Sequence, residues 1–218
     1  MIKAVIFDMD GLMIDSEPIQ SKSFEYVLRT HDKAPIFNPN GLIQTIGITA
    51  KDNWILLKEK HNLTASVASL LAKKRSVYGK LLKENVKPQK GLFSLIKKLK
   101  KGGFKLGIAS SSKLSNIKLV LSSLHLSRSF DVILSGESLT RGKPHPDIFL
   151  ETARKLSVDP SDCVVLEDAE SGVEAAHRAK MKVIAVPNKF TRDHDFKKAD
   201  LVVSSLGKIT PRTLRNRF

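Results

Sequence analysis

The chain has 218 residues, 41% hydrophobic and 27% charged, with a formal net charge of +15 and one cysteine. That length supports one substantial core, or a core with a smaller second unit, and the composition is globular rather than low-complexity. Cys163 alone excludes an internal disulfide and suits a reducing cytoplasm, where the protein is expected; no apolar run approaches the roughly 20 residues of a membrane helix, and Met1-Ile2-Lys3-Ala4 shows no secretory pattern.

In chain order, "IKAVIF" (2–7) reads as a short, β-branched strand that stops at Asp8, with Asp10 and Gly11 close behind. Ser16 is placed to cap a helix opening with Glu17-Pro18. Residues 17–85 then carry no convincing strand. Helical stretches near 17–30, 50–60 and 66–84 are separated by "HDKAPIFNPNG" (31–41) and "KHNL" (60–63), and Phe24 and Trp54 are expected in their core. After "VKPQKG" (86–91) the pattern alternates. Strands are expected at "FKLGIAS" (104–110), "DVILSG" (131–136), "CVVLED" (163–168), "KVIAVP" (182–187) and "LVVSSL" (201–206). Helices are expected at 114–124, 146–156 and 170–180. Near-continuous apolar strands between helices predict an α/β fold, a doubly wound parallel sheet covered on both faces, with an all-helical insertion after the first strand.

The positive charge is uneven. Residues 51–105 hold fifteen Lys/Arg against Asp52, Glu59 and Glu84, so this stretch alone carries +12. A basic face attracts nucleic acid, acidic membranes or phosphorylated metabolites. In "IKKLKK" (96–101), however, the apolar stripe Leu92, Leu95, Ile96, Leu99 leaves the lysines pointing to solvent. Aromatics are only 6%, so stacking platforms for single strands are scarce, and neither a nucleic-acid nor a membrane partner is expected.

Ligands of open α/β sheets bind at the carboxyl ends of the strands. Polar residues gather there: Asp8 and Asp10 after the first strand, Ser110, Ser111, Ser112 and Lys113 after the second, Lys143 in "RGKPHPD", and Glu167-Asp168 after "CVVL". A hard divalent cation such as Mg2+ can hold several carboxylates together and bridge to phosphate. Lys143 and Ser110 can hold a phosphoryl group, one aspartate can act as nucleophile, and the other can transfer the proton. Asp8 and Asp10 taken alone would read as turn residues before Gly11, and Ser110 alone as a helix cap. His145 and Asp147 read as helix-start residues, and Cys163 as a packed strand residue.

Four short patterns in this order, Asp8-Met9-Asp10-Gly11, Ser110, Lys143-Pro144 and Glu167-Asp168, resemble the haloacid dehalogenase superfamily. Within it the chain is most similar to the helical-cap group containing β-phosphoglucomutase and sugar-phosphate phosphatases, over nearly its whole length. The resemblance implies a Rossmann-like core (1–15 and 86–218) with a four-helix cap (16–85) that closes over the site. It implies Asp8 as nucleophile and Asp10 as general acid/base. Asp8, the Asp10 carbonyl and Asp168 would be Mg2+ ligands, with Glu167 binding directly or through water. Ser110 and Lys143 would clamp phosphate, with Ser111 and Ser112 as further donors. Gln20, Ser112, Lys113, and Lys51 with Asp52 in a loop after Gly47, would lie at specificity positions. The substrate would be a small phosphorylated metabolite.

Mutases of this group use a cap-loop arginine, an asparagine after the second motif and a histidine on the first cap helix. Here the corresponding slots hold Ala50, Leu114 and Gln20, although Ser112 and Lys113 are kept. These departures favour hydrolysis, with a phosphomutase as the alternative. A non-catalytic phosphate- or nucleic-acid-binding relative is a third reading, opposed by the presence of both Asp8 and Asp10.

Overall fold

The computed structural model describes residues 1–46 and 49–218. The chain divides into two compact units: Met1–Asp15 with Lys87–Phe218, and Ser16–Val86.

The larger unit is a six-stranded, all-parallel sheet. Its strands are β1 (Ala4–Phe7), β2 (Lys105–Ser110), β3 (Val132–Ser135), β4 (Cys163–Glu167), β5 (Lys182–Ala185) and β6 (Leu201–Val202), in the order β3-β2-β1-β4-β5-β6. β1 lies between β2 and β4, with Phe7 level with Ile108 on one side and Leu166 on the other. The strand order reverses between β1 and β4, which places a crevice beyond their carboxyl ends.

The apolar runs are continuous because both faces are covered. Ala4, Ile6, Ala109, Val165 and Val183 share one buried cluster with Phe149 and Ala153 of α6 (Asp147–Leu156) and Val173 and Ala176 of α7 (Glu170–Arg178). The alternate residues Val5, Phe7, Ile108, Val164 and Leu166 are also fully buried. α4 (Leu92–Lys101) contacts β2, and α5 (Leu114–Ser123) contacts β3. In α4 the expected stripe Leu92, Leu95, Ile96, Leu99 is buried and the lysines are exposed. The last strand is shorter than expected: Val203 still donates to Ala185, but the chain bends at Ser204 and Ser205 and the ladder ends. A short α8 (Pro211–Arg217) ends the unit.

The smaller unit contains α1 (Glu17–Arg29), α2 (Ala50–Lys60) and α3 (Val67–Asn85). That is three helices among the described residues, where the resemblance implies four. α1 packs on α3 and α2 on α3. Phe24, Val27, Leu28, Trp54, Leu57 and Leu70 fill the interior, with the Phe24 and Trp54 rings 5.0 Å apart. Ser16 does not cap α1 as expected. Its own backbone is already helical (φ −88°, ψ −18°), so its hydroxyl cannot reach the first-turn amides. Pro18 in the first turn supplies the helix start instead.

Candidate active site

β1 ends at Phe7, and the Asp8 amide continues the ladder by donating to the Leu166 carbonyl (3.0 Å). The chain then turns at Gly11, φ +86°, where L side chains are strained. A Cβ at Gly11 would also lie 2.2 Å from Asp168 Oδ2, so the glycine lets the β1 loop approach the carboxylate that follows β4.

The parallel register brings the ends of β1, β2 and β4 together. Lys143, from the loop between β3 and α6, reaches into them. Its ammonium donates to Asp8 Oδ1 at 2.5 Å and to Glu167 Oε1 at 2.6 Å, and lies 5.0 Å from the Phe149 ring centroid. Asp10 is held on the other side: Ser112 Oγ donates to its Oδ2 at 2.7 Å and Ser110 Oγ at 3.3 Å. Ser110 Oγ in turn accepts the Ser112 amide (3.0 Å), and the Ser135 hydroxyl donates to the Ser112 carbonyl (2.7 Å). The ends of β2 and β3 thus fix the loop that grips Asp10.

Asp8, Glu167 and Asp168 are all buried, and a carboxylate oxygen from each lies within 4.8 Å of the others. Burial pushes the Asp8 carboxyl up from its ordinary 3.8 to about 8; Lys143 opposes this, and the nearby Glu167 and Asp10 charges add to it. Burial also works against the Lys143 charge, but Asp8 and Glu167 outweigh it and carry the ammonium above the ordinary lysine range. Three buried carboxyl groups share a single ammonium, and every donor of the cluster is oxygen. A hard divalent cation matches both facts.

Glu167 is already engaged at both oxygens. Oε1 takes Lys143, and Oε2 accepts the amides of Asp168 (2.9 Å) and Ala169 (3.2 Å) at the start of α7. Gly172 makes room for it, since a Cβ there would lie 1.8 Å from Oε1. Its carboxylate therefore binds chain atoms that position Asp8, through Lys143, and Asp168, through the backbone.

The sequence-derived residues divide clearly. Asp8, Asp10, Ser110, Ser112, Lys143, Glu167 and Asp168 come together in the larger unit. Ser111 is exposed, and Lys113 pairs with Glu137 at 3.3 Å. Asp147 pairs with Arg141 through two hydrogen bonds (3.0 and 2.9 Å) rather than capping α6. Gln20 lies on α1 and accepts a hydrogen bond from the buried Lys74 of α3. Lys51 and Asp52 are not in a loop. They form the first turn of α2, because Thr49 Oγ1 accepts the Asp52 amide (3.1 Å) and its hydroxyl donates to the Asp52 carboxylate (2.6 Å). Gly47 lies outside the described residues.

Residues 5–186 match the family model of the haloacid dehalogenase-like hydrolases. The chain belongs to the haloacid dehalogenase-like hydrolases. This hydrolase is 35% identical to hexitol phosphatase B of Escherichia coli K12, over 98% of its own length and 96% of that protein. It is 31% identical to the β-phosphoglucomutase of Bacillus subtilis 168, over 100% and 96% of the two chains. Its fold matches the crystal structure of CbbY from Rhodobacter sphaeroides in complex with phosphate, with a TM-score of 0.83, 26% identity, and coverage of 95% and 96%.

Sequence reasoning did not single out Gly172, Ser135, Gln89 or Asn188. Gln89 Nε2 donates to the Gly11 carbonyl at 3.0 Å, and Asn188 Nδ2 to Asp168 Oδ2 at 2.8 Å. The strand-end rule could have found Asn188, which follows the strand "KVIAVP" directly.

Proposed function

We propose that this hydrolase is a Mg2+-dependent phosphatase of small phosphomonoesters, sugar phosphates foremost, acting through an aspartyl-phosphate on Asp8. The observation that carries this reading is the placement of a buried carboxylate, Asp8, on a buried ammonium, with a second carboxylate two residues on that accepts from two serine hydroxyls. That separates a nucleophile from a proton carrier.

In the first half-reaction an Asp8 oxygen forms a bond to phosphorus while the bond to the leaving oxygen breaks. Asp10 turns from the serines and gives that oxygen a proton. In the second, water attacks the phosphoryl group, Asp10 takes the water proton, and the bond to Asp8 breaks. Lys143 and Ser110 face the phosphoryl oxygens as charge redistributes. Asp8, Asp168 and the Asp10 carbonyl would hold Mg2+, whose charge would stabilise the phosphoryl oxygens, and Glu167 would fix Lys143 and Asp168.

The resemblance to β-phosphoglucomutase, together with Ser112 and Lys113, supports a second reading as a phosphomutase. Against it stand Ala50, Leu114 and Gln20: a mutase must hold the phosphate that is not transferring, and an alanine and a leucine offer no such donor. The test is to supply hexitol and hexose phosphates with Mg2+, and β-glucose 1-phosphate with a trace of the 1,6-bisphosphate. Orthophosphate and glucose 6-phosphate are followed together. Metal-dependent orthophosphate release with little isomer supports the phosphatase. Bisphosphate-dependent isomer without orthophosphate overturns it.

A further inference from the structure

We infer that Asn188, after β5, is a positioning residue that sets the Asp168 carboxylate for metal binding and ties it to the β1 loop. The inference rests on the reading of Asp8 and Asp168 as metal ligands and adds to it a residue on a fifth strand end.

The Asn188 amide group carries two protons, and the structure gives each an acceptor. One goes to Asp168 Oδ2 at 2.8 Å and the other to the Gly11 carbonyl at 3.3 Å. The orientation of the amide is determined by its other end. Asn188 Oδ1 accepts the Phe190 amide at 2.8 Å, which leaves only the NH2 side to face Asp168. The backbone is held as well: the Asn188 amide donates to Thr191 Oγ1 (3.1 Å), the Thr191 amide returns to the Asn188 carbonyl (3.2 Å), and Thr191 is buried.

Asn188 thus sits in a locked turn and reaches two loops at once. Its hydrogen bond occupies one direction of Asp168 Oδ2. The Gly11 carbonyl, which also accepts from Gln89 Nε2, belongs to the loop carrying Asp8 and Asp10. A carboxylate that must rotate to meet a cation binds it more weakly than one already held, and such outer partners typically contribute about 10- to 100-fold in metal affinity.

The test is Mn2+ titration calorimetry on the whole protein: wild type, Asp168→Asn, Asn188→Ala and Asn188→Ser. Serine can still accept the Phe190 amide and keep the turn, but is too short to reach Asp168. Melting in EDTA is measured alongside. The expected result is that Asn188→Ser melts like wild type in EDTA and binds Mn2+ about 10- to 100-fold more weakly, with kcat recovering at saturating Mn2+. Asn188→Ala should show the same loss of affinity. Mn2+ affinity within twofold of wild type in the folded Ser variant overturns the inference, as does a lowered melting temperature with unchanged affinity. Asp168→Asn separates the two readings: if it binds Mn2+ as tightly as wild type, the metal site itself is wrong.

Discussion

Asp8→Asn should make the metal-free protein more stable while removing its activity. The wild-type carboxyl is buried beside Glu167 and Asp10, and its pKa stands at about 8 instead of 3.8. In the unfolded chain the same group is ionised at pH 7. Folding at pH 7 therefore forfeits about 3 pH units of free ionisation at about 1.4 kcal/mol each, or about 4 kcal/mol. Asparagine has nearly the same shape and nothing to ionise, so the variant escapes this cost. Lys143 keeps Glu167 as its anionic partner in both proteins, so the stabilisation should be on the order of 4 kcal/mol. The sign against pH follows from the raised folded pKa of an acid. The wild-type carboxyl is protonated in both states below about pH 4, and the cost grows as pH rises from about 4 to about 8. The variant's advantage should therefore be small at pH 4, grow towards pH 8, and shrink when Mg2+ is added to the wild type. Urea unfolding in EDTA at several pH values, with and without Mg2+, measures this. An Asp8→Asn protein no more stable than wild type in EDTA at pH 7 would show that the folded Asp8 carboxyl carries no such cost.

Lys143→Ala removes the cation between Asp8 and Glu167, and should cost about 3–5 kcal/mol by urea unfolding and about 10²–10³ in turnover. Lys101→Ala, on the exposed face of α4, should change stability by no more than about 0.5 kcal/mol. Gly11→Ala puts a Cβ against Asp168 Oδ2 at a positive φ, so it should lower stability by about 2–4 kcal/mol and weaken Mn2+ binding measured by calorimetry. Burial pushes the Cys163 thiol up to about 12, with Asp162 and Asp159 adding to it. A thiol reagent at pH 8 should therefore label the protein only after denaturant is added; labelling of the native protein would show that the start of β4 opens.

The sheet and the central site were legible because strong local signals coincide. β1 to β4 are short apolar runs that end in or directly before a polar residue, and the parallel topology then makes those ends neighbours. Asp8, Ser110, Lys143 and Glu167 could thus be grouped before any distance was known. What was not legible depends on side-chain competition. Ser16 stands where a cap belongs, yet its own helical backbone prevents capping. Asp147 stands at a helix start and is taken by Arg141. Lys51 and Asp52 fall in the helical stretch expected at 50–60 although the resemblance implies a loop there, and the Thr49 cap decides for α2. Gly172 is indistinguishable in sequence from any small residue at a helix start, because its reason is the Glu167 carboxylate beside it. Asn188 lies after a strand whose carboxyl end, Ala185-Val186-Pro187, bears no charge, so the strand-end carboxylates did not point to it.

In this mechanism Asp8 carries the phosphoryl group during turnover. This is tested most directly by acid-quenching the enzyme within milliseconds of mixing with Mg2+ and a hydrolysed phosphomonoester, then sequencing its peptides by mass spectrometry. Asp10→Asn, which lacks the base for the second half-reaction, is run in parallel to slow the loss of any covalent intermediate. One phosphoryl group is expected on the peptide containing Asp8, removed by hydroxylamine and absent from Asp8→Asn. Turnover with no modified Asp8 peptide in either protein, or a phosphoryl group on another residue, would contradict the mechanism.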